Sequence, residues 1–285
     1  MSYFFSVKEV VEQYISGCKA KVEQSFEQLL GKSILAGAMI GMGAATSSVA
    51  THMIPNVGIA RLVAGTVFPV GLMMVILLGA ELFTGDCLMA MSVSAKKHRI
   101  TEVLRVLSVV YLGNLIGAVL LATLISLSGQ LNFSDGMLGA YTIKVALGKV
   151  NISTSECLIS GILCNVLVCA AVLIAMCAKD ITGKLIAVFF TIMLFVTAGF
   201  EHCVANMYYL TAGIIAKQNP LYLSQAIEQY GYTDKQLQSL SVGNAVLSNL
   251  IPVTFGNIIG GILLIGIPLY YLHIQEVKKN EHLKE

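Results

Sequence analysis

Residues 79–85 read Gly-Ala-Glu-Leu-Phe-Thr-Gly, and residues 199–203 read Gly-Phe-Glu-His-Cys. Both stretches interrupt long apolar segments, and in each a glutamate, Glu81 or Glu201, follows a glycine by two positions. An ionisable group inside a bilayer is costly, so it needs a reason to be there. The two stretches predict two matched breaks in membrane-spanning helices.

The composition indicates a membrane protein. Of 285 residues, 56% are hydrophobic and only 12% are charged, about half the charged fraction of a soluble domain. Six long stretches contain no charged residue apart from Glu201 in one of them, and each can hold a span of about 20 residues. They cover residues 33–60, 62–80, 106–134, 158–178, 185–216 and 236–275. We therefore predict an all-α integral membrane protein with six transmembrane helices.

The breaks fall in spans two and five, the middle elements of two three-span halves. Because three is odd, the second half must insert upside down relative to the first. Inverted repeats with matched interrupted helices are typical of transporters and channels, whose substrate site lies where the breaks meet near the midplane. The N–H groups exposed at a broken helix, together with the helix dipole, favour an anion.

Basic residues are distributed unevenly between the two sides of this topology. The side of the termini carries 13 of the 18 Lys and Arg residues, and the opposite side carries 5. This bias predicts that both termini are cytoplasmic and that residues 129–154 and 217–240 form polar external loops. The net charge of +2 is too small for a nucleic-acid-binding protein, and the seven cysteines are predicted to be buried thiols. We expect no cofactor, no metal and no nucleic-acid partner.

Residues 6–30 are the one substantial segment outside the spans with a helical pattern of apolar residues. We predict an amphipathic helix that packs on the cytoplasmic rim or lies in the headgroup layer, or alternatively gates the pore mouth. The predicted organisation is a cytoplasmic N-terminal segment at residues 1–32, a six-span domain at residues 33–275 and a cytoplasmic tail at residues 276–285.

His202 is the only histidine well inside a predicted span, because His52 and His273 lie near the ends of theirs. A lone imidazole lacks the further ligands that zinc or haem needs, so its natural use is protonation near neutral pH where an anion passes. The alternative is a structural histidine. For Glu81 and Glu201, the alternative is that they accept from N–H groups of their own broken helices. Cys203 beside His202 forms no catalytic dyad, because adjacent helical residues point about 100° apart; we predict no enzyme activity.

Four stretches of the sequence resemble the formate/nitrite transporter family: residues 77–85, 161–169, 199–208, and 249–254 with Gly256, Asn257 and Gly260. The resemblance covers about residues 10–275 and is nearest to the bacterial hydrosulfide channel. It implies an aquaporin-like inverted repeat with interrupted helices two and five. It also implies a homopentamer in the lipid bilayer of the bacterial inner membrane, with one pore in each protomer.

The resemblance implies roles for individual residues as well. It places Leu82, Phe83 and Thr84 in the cytoplasmic constriction. Phe195 belongs to the periplasmic constriction, and His202 lies at the centre with Thr84 as its hydrogen-bonding partner. The remaining pore and substrate-binding residues that it implies are Phe68, Leu72, Lys149, Asn165, Val168, Glu201 and Asn249.

These positions predict a channel for small monovalent weak-acid anions, with hydrosulfide first and formate or nitrite next. Lys149 draws the anion in, and apolar rings at Leu82 and Phe195 oppose a hydrated ion. His202 donates a hydrogen bond or a proton, and the neutral acid crosses the second ring. Anion conduction without proton transfer is one alternative. An aquaporin-like neutral-solute channel is another, but the two Asn-Pro-Ala repeats expected of that class are absent from the sequence.

Overall fold

The computed structural model describes residues 4–275, which form helices joined by short connections. Within this range six helices are long and apolar enough to cross a membrane. They are spans one to six: Phe26–Thr51, Val57–Leu77, Ile100–Leu127, Thr154–Cys177, Ile181–Ala198 and Val242–Gln275. The prediction of an all-α protein with six spans is confirmed. The predicted tail, residues 276–285, lies outside the described residues.

Most spans begin before the uncharged stretches that predicted them. Span one starts at Phe26 and span three at Ile100, six or seven residues earlier than expected. Glu27 and Glu102 lie in their first turns. A helix can extend past the apolar layer into water. A carboxylate in its first turn is stabilised by the positive, N-terminal end of the helix dipole. Uncharged stretches therefore mark the apolar part of a helix and not its full length.

Span two is interrupted twice. Its two segments, Val57–Val67 and Val70–Leu77, meet at Pro69. Residues 78–82, which we call loop one, follow without helical structure. Gly79 in this loop has a φ of +64°, a conformation that favours glycine. The chain then continues in the short helices Phe83–Asp86, Cys87–Met89 and Ala90–Ser94.

Span five has a matching break. Its helix ends at Ala198, and Gly199 turns the chain with a φ of +77°. Residues 199–202, which we call loop two, lead into the helix Cys203–Ala216, the second half-helix. The predicted interruption of helices two and five is confirmed.

The N-terminal helix, Val7–Glu23, is shorter than predicted. Ser6 caps its first turn, and Ser25 caps the start of span one. The predicted helix over residues 6–30 is wrong at its C-terminal end, because a second capping serine starts a new helix there. The apolar face of the N-terminal helix is buried against the rest of the protein.

The two segments predicted to be polar external loops are largely helical. They contain the helices Gln130–Asn132, Met137–Val150, Pro220–Tyr230 and Asp234–Ser239. Met137–Val150, which we call the linker helix, packs against the second half-helix and buries an apolar face. This helix was not predicted from the sequence, because Lys144 and Lys149 interrupt its apolar positions.

Glycines spaced by four bring the spans into close contact. Gly113 and Gly117 of span three lie against span one, and Gly256 and Gly260 of span six lie against span four. A Cβ atom at any of these positions would collide with the neighbouring helix. The first and third spans of each half therefore pack in the same way.

Span six is the least regular of the six helices. It contains three π-helical stretches, Ala245–Leu250, Ile259–Gly266 and Tyr271–Gln275. Pro252 and Pro268 lie in the α-helical segments between them. Because proline has no N–H to donate, it interrupts the regular series of α-helical hydrogen bonds. This interruption accounts for the wider, π-helical turns nearby.

Candidate functional site

Asn114 of span three holds loop one in place. Its Oδ1 accepts a hydrogen bond from the Phe83 N–H at 3.0 Å, and its Nδ2 donates to the Ser33 and Glu81 carbonyls at 2.7 and 3.0 Å. The side chain is fully buried. A helix break inside a membrane exposes backbone groups that water cannot reach, and this single amide satisfies two of them.

Asn257 of span six holds loop two through the same three kinds of contact. Its Oδ1 accepts from the Cys203 N–H at 2.9 Å, and its Nδ2 donates to the Gly161 and Glu201 carbonyls at 2.8 and 3.0 Å. The partners occupy matching positions in the two halves, so the inverted repeat extends to single hydrogen bonds. The asparagines, and not the glutamate side chains, therefore satisfy the first N–H groups after the breaks.

A small apolar chamber of about 10 Å³ lies between the two loops. Its volume is about that needed to hold one water molecule. Leu82 of loop one and Phe195 of span five are each only 4% exposed and contribute to its wall. The full set of lining residues is Ile40, Phe68, Leu72, Leu82, Val168, Ile192, Phe195 and His202. The chamber is therefore an almost closed apolar barrier.

Two larger cavities flank the chamber. The near vestibule, about 290 Å³, is lined by residues of the N-terminal helix and shares Leu72 and Leu82 with the chamber. The far vestibule, about 350 Å³, is lined by residues of the linker helix and shares Phe68, Phe195 and His202 with the chamber. A pathway through one protomer thus runs from one vestibule to the other across a single apolar barrier.

A hydrogen bond joins His202 of loop two to Thr84 in the short helix that follows loop one. His202 Nε2 lies 2.9 Å from Thr84 Oγ1. His202 Nδ1 accepts from the Ala205 N–H at 3.1 Å, so the imidazole caps the second half-helix. Since an accepting nitrogen carries no hydrogen, the neutral ring holds its proton on Nε2 and donates it to Thr84 Oγ1. This cap and a doubly protonated ring exclude each other, because a second proton would occupy Nδ1.

On the far side, Lys149 of the linker helix pairs with Glu201 of loop two. Its Nζ lies 2.9 and 3.1 Å from the two carboxylate oxygens and 5.3 Å from the centre of the Tyr209 ring. Asn206 Nδ2 donates to the same carboxylate at 2.6 Å, and Asn249 Nδ2 donates to the Lys149 carbonyl at 3.0 Å. The charges of Lys149 and Glu201 compensate each other. The role of Lys149 in drawing anions towards the pore stays a prediction.

On the near side, Lys21 of the N-terminal helix pairs with two carboxylates. Its Nζ contacts Glu81 of loop one and lies 2.8 Å from Asp86 Oδ1. Burial lowers the pKa of Lys21, but attraction to Asp86 and Glu81 outweighs burial and raises this pKa above its ordinary value. The Tyr14 hydroxyl donates to the Gly85 carbonyl at 3.0 Å. The N-terminal helix is therefore fixed to loop one and to the short helix Phe83–Asp86 by ion pairs and a hydrogen bond.

Several residues predicted to belong to the pore lie outside the chamber and hold its surroundings in place. Asn165 Nδ2 donates to the carbonyl of Thr84 at 3.2 Å, and Asn249 is buried beside Lys149. Phe83 packs against Tyr111, with ring centres 4.9 Å apart, and does not line the chamber. Its place in the constriction stays a prediction. Leu82 has extended backbone, which turns neighbouring side chains to opposite sides.

Most residues that hold the two loops were not predicted from the sequence. They are Lys21, Asp86, Asn114, Asn206 and Asn257. A signal for the asparagines was present, because a polar side chain inside a span is costly without a partner. Lys21 had no such signal, since it lies in a helix outside the spans and far from loop one in the sequence.

Two broken helices on either side of an apolar barrier define a membrane channel of the inverted-repeat type. The family model described as Formate/nitrite transporter matches residues 8–271. The chain therefore belongs to the formate/nitrite transporter family and is a multi-pass membrane channel for small anions.

Individual relatives agree with this assignment. The formate channel FocA of Haemophilus influenzae is 38% identical over 215 residues, which cover 75% of each chain. A probable formate transporter of Methanothermobacter thermautotrophicus is 33% identical over 281 residues, covering 91% of this chain and 95% of the relative. A solved pentameric formate channel with formate bound has a TM-score of 0.77 at 30% identity, covering 87% of this chain and 98% of that one. These relatives are channels and transporters, not enzymes. The closer resemblance to hydrosulfide channels stays a prediction.

Proposed function

We propose that this protein conducts small monovalent weak-acid anions, with formate as the first substrate and hydrosulfide as the second candidate. Formate has support from the relatives, whose names include a formate channel, and from the similar structure with formate bound. Formate and hydrosulfide share two properties: both are small, and both become neutral when they take up one proton. Nitrite shares these properties and is the third candidate.

The apolar chamber is the observation that carries this proposal. Its volume is about 10 Å³, and His202 is its one ionisable lining residue. A bare anion would lose its hydration there and gain little in return, whereas a neutral acid needs only one or two hydrogen bonds. The vestibules bring the anion to the barrier from either side. We therefore propose that the substrate crosses the chamber in its protonated, neutral form.

His202 is proposed to act as a hydrogen-bond donor and not as the source of the proton. Its Nδ1 is occupied by the Ala205 N–H, and its Nε2 faces Thr84. A second ring proton would break the helix cap, and loss of the Nε2 proton would leave an imidazolate. The proton is proposed to reach the anion from vestibule water, because desolvation at the barrier favours the uncharged form of an acid.

The proposed setting is the inner membrane of a bacterium, with the near vestibule on the cytoplasmic side. The excess of Lys and Arg on the side of the termini supports this orientation. We further propose a homopentamer with one pore in each protomer, on the basis of the similar pentameric structure. Mass measurement in mild detergent should give five copies; a monomer that keeps full transport would contradict the assembly.

Uptake into proteoliposomes tests the substrate directly. Formate, hydrosulfide and nitrite are supplied separately at one concentration, and glycerol serves as a neutral solute. Leu82→Trp is the matched control, because a larger side chain should fill the chamber and stop transport without touching either vestibule lysine. We expect formate and hydrosulfide uptake well above that of Leu82→Trp. Uptake of glycerol but of none of the anions would instead indicate a neutral-solute channel.

A further inference from the structure

Arg61 is the uncompensated charge of the far vestibule. It lines this cavity of about 350 Å³ together with Lys149 and Glu201. Lys149 and Glu201 pair with each other at 2.9 Å, whereas Arg61 is exposed and makes no hydrogen bond or ion pair with any residue between 4 and 275. The other ionisable residues of the wall are His202, Tyr141 and Tyr209. The two tyrosines are neutral phenols. The vestibule thus carries a net charge of one, and Arg61 supplies it.

The fold places the guanidinium directly over loop two. Arg61 lies in the first segment of span two, Val57–Val67, and Asn56 caps the N-terminal end of this segment. Gly199, at a φ of +77°, has no side chain, and a Cβ atom there would collide with the Arg61 guanidinium. The guanidinium therefore lies beside the break that carries His202. An anion on Arg61 would still be hydrated on one side and would face the apolar barrier on the other.

We infer that Arg61 binds small planar anions through two of their oxygen atoms, as the last hydrated site before the chamber. This inference rests on the proposed function and adds a basis for substrate preference. A guanidinium presents parallel N–H groups that fit two oxygens at once, and an ammonium does not. Formate and nitrite offer two oxygens, whereas hydrosulfide offers a single sulfur. Arg61 therefore favours formate and nitrite over hydrosulfide.

Two substitutions separate charge from geometry. Arg61→Gln removes the charge, and Arg61→Lys keeps the charge but removes the paired N–H groups. Lys235→Gln is the matched control, because Lys235 is an exposed cation in the connection between the second half-helix and span six and does not line the vestibule. Initial uptake of formate and of hydrosulfide is measured against concentration at low and high ionic strength. The oligomeric state of each variant is checked by gel filtration.

We expect Arg61→Gln to raise the half-saturating formate concentration by about two- to fivefold, as for an exposed charged pair. The maximal rate should change little, and high salt should remove the difference. Arg61→Lys should match the parent for hydrosulfide but give a half-saturating formate concentration between those of the parent and Arg61→Gln, because it keeps the charge and loses only the paired N–H groups. The inference is overturned if Arg61→Gln behaves like Lys235→Gln, or if Arg61→Lys restores the parental formate value. A parent that transports neither anion would overturn the proposed function instead.

Discussion

Loop one and loop two are held by the same backbone contacts but by different charges. Asn114 and Asn257 each accept from the first N–H after a loop and donate to two carbonyls, with all six distances between 2.7 and 3.0 Å. Five residues after each glutamate, however, stand Asp86 in one half and Asn206 in the other. The repeat therefore reproduces the scaffold twice, while individual side chains make the two sides chemically distinct.

The difference between Asp86 and Asn206 changes the balance of charges beside each loop. Asp86 adds a second buried carboxylate beside Lys21, and its Oδ2 has no hydrogen-bond partner among residues 4–275. Asn206 instead donates to Glu201, which already pairs with Lys149. The near side thus has one carboxylate more than it has cations, whereas the pair on the far side is balanced.

The comparison also assigns a place to the N-terminal helix. The linker helix supplies Lys149 to loop two, and the N-terminal helix supplies Lys21 to loop one. The two helices are therefore counterparts in the inverted repeat. The N-terminal helix is part of the near half of the pathway and not only a surface element.

Removal of the lysines should have the largest effect, and it should be larger on the near side. Lys21→Met leaves two buried carboxylates without a cation, and Lys149→Met leaves one. Breaking a buried ion pair costs about 3–5 kcal/mol. Both variants should therefore lower the melting temperature of the purified protein, Lys21→Met more than Lys149→Met, as followed by circular dichroism in detergent.

A combined variant provides the control for this comparison. Lys21→Met together with Glu81→Gln and Asp86→Asn removes the unpaired charges and should recover most of the lost stability. If the two single lysine variants melted at the same temperature, or if the combined variant recovered nothing, the extra carboxylate on the near side would not matter for stability.

Removal of the asparagine clamps should have a smaller and symmetrical effect. Asn114→Ala and Asn257→Ala each leave loop N–H and C=O groups without partners, which costs about 1–3 kcal/mol. Because the contacts match in both halves, the two variants should lose similar amounts of thermal stability. A large loss in one variant and none in the other would show that the two clamps are not equivalent.

The smallest effect is expected on removal of the hydrogen bond between His202 and Thr84. His202→Asn and Thr84→Ala each remove the hydrogen bond between these two residues, worth about 0.5–1.5 kcal/mol, since asparagine at position 202 can still cap the second half-helix. Formate uptake should fall by up to about tenfold, while its dependence on pH keeps the shape of the parent. If His202→Asn abolished the pH dependence, the imidazole would be the proton donor and not only a hydrogen-bond donor.

The plan of the fold could be predicted from the sequence, because its signals are local. Long uncharged stretches marked the spans, and the glycine that precedes each of Glu81 and Glu201 marked the breaks. Helix ends were less predictable, since charged first turns extend beyond the apolar stretches. The end of the N-terminal helix at Glu23 depends on a second capping residue, Ser25. A pattern of apolar residues does not reveal such a cap.

The chemistry of the site was predictable only in part. His202 could be found because a lone histidine inside a span needs a reason. Its role as a cap could not be found, because it depends on the backbone geometry that brings Nδ1 to the Ala205 N–H. The pairing of Lys21 with Glu81 joins residues 60 positions apart in the sequence, so no local pattern could predict it.

A weak acid is proposed to cross the apolar chamber in its neutral form. The most direct measurement is the uptake of formate and of chloride into the same proteoliposomes over a range of external pH. We expect formate uptake to rise as external pH falls, and chloride uptake to stay at the level of protein-free liposomes at every pH. Chloride uptake comparable to that of formate, or formate uptake independent of pH, would contradict this proposal.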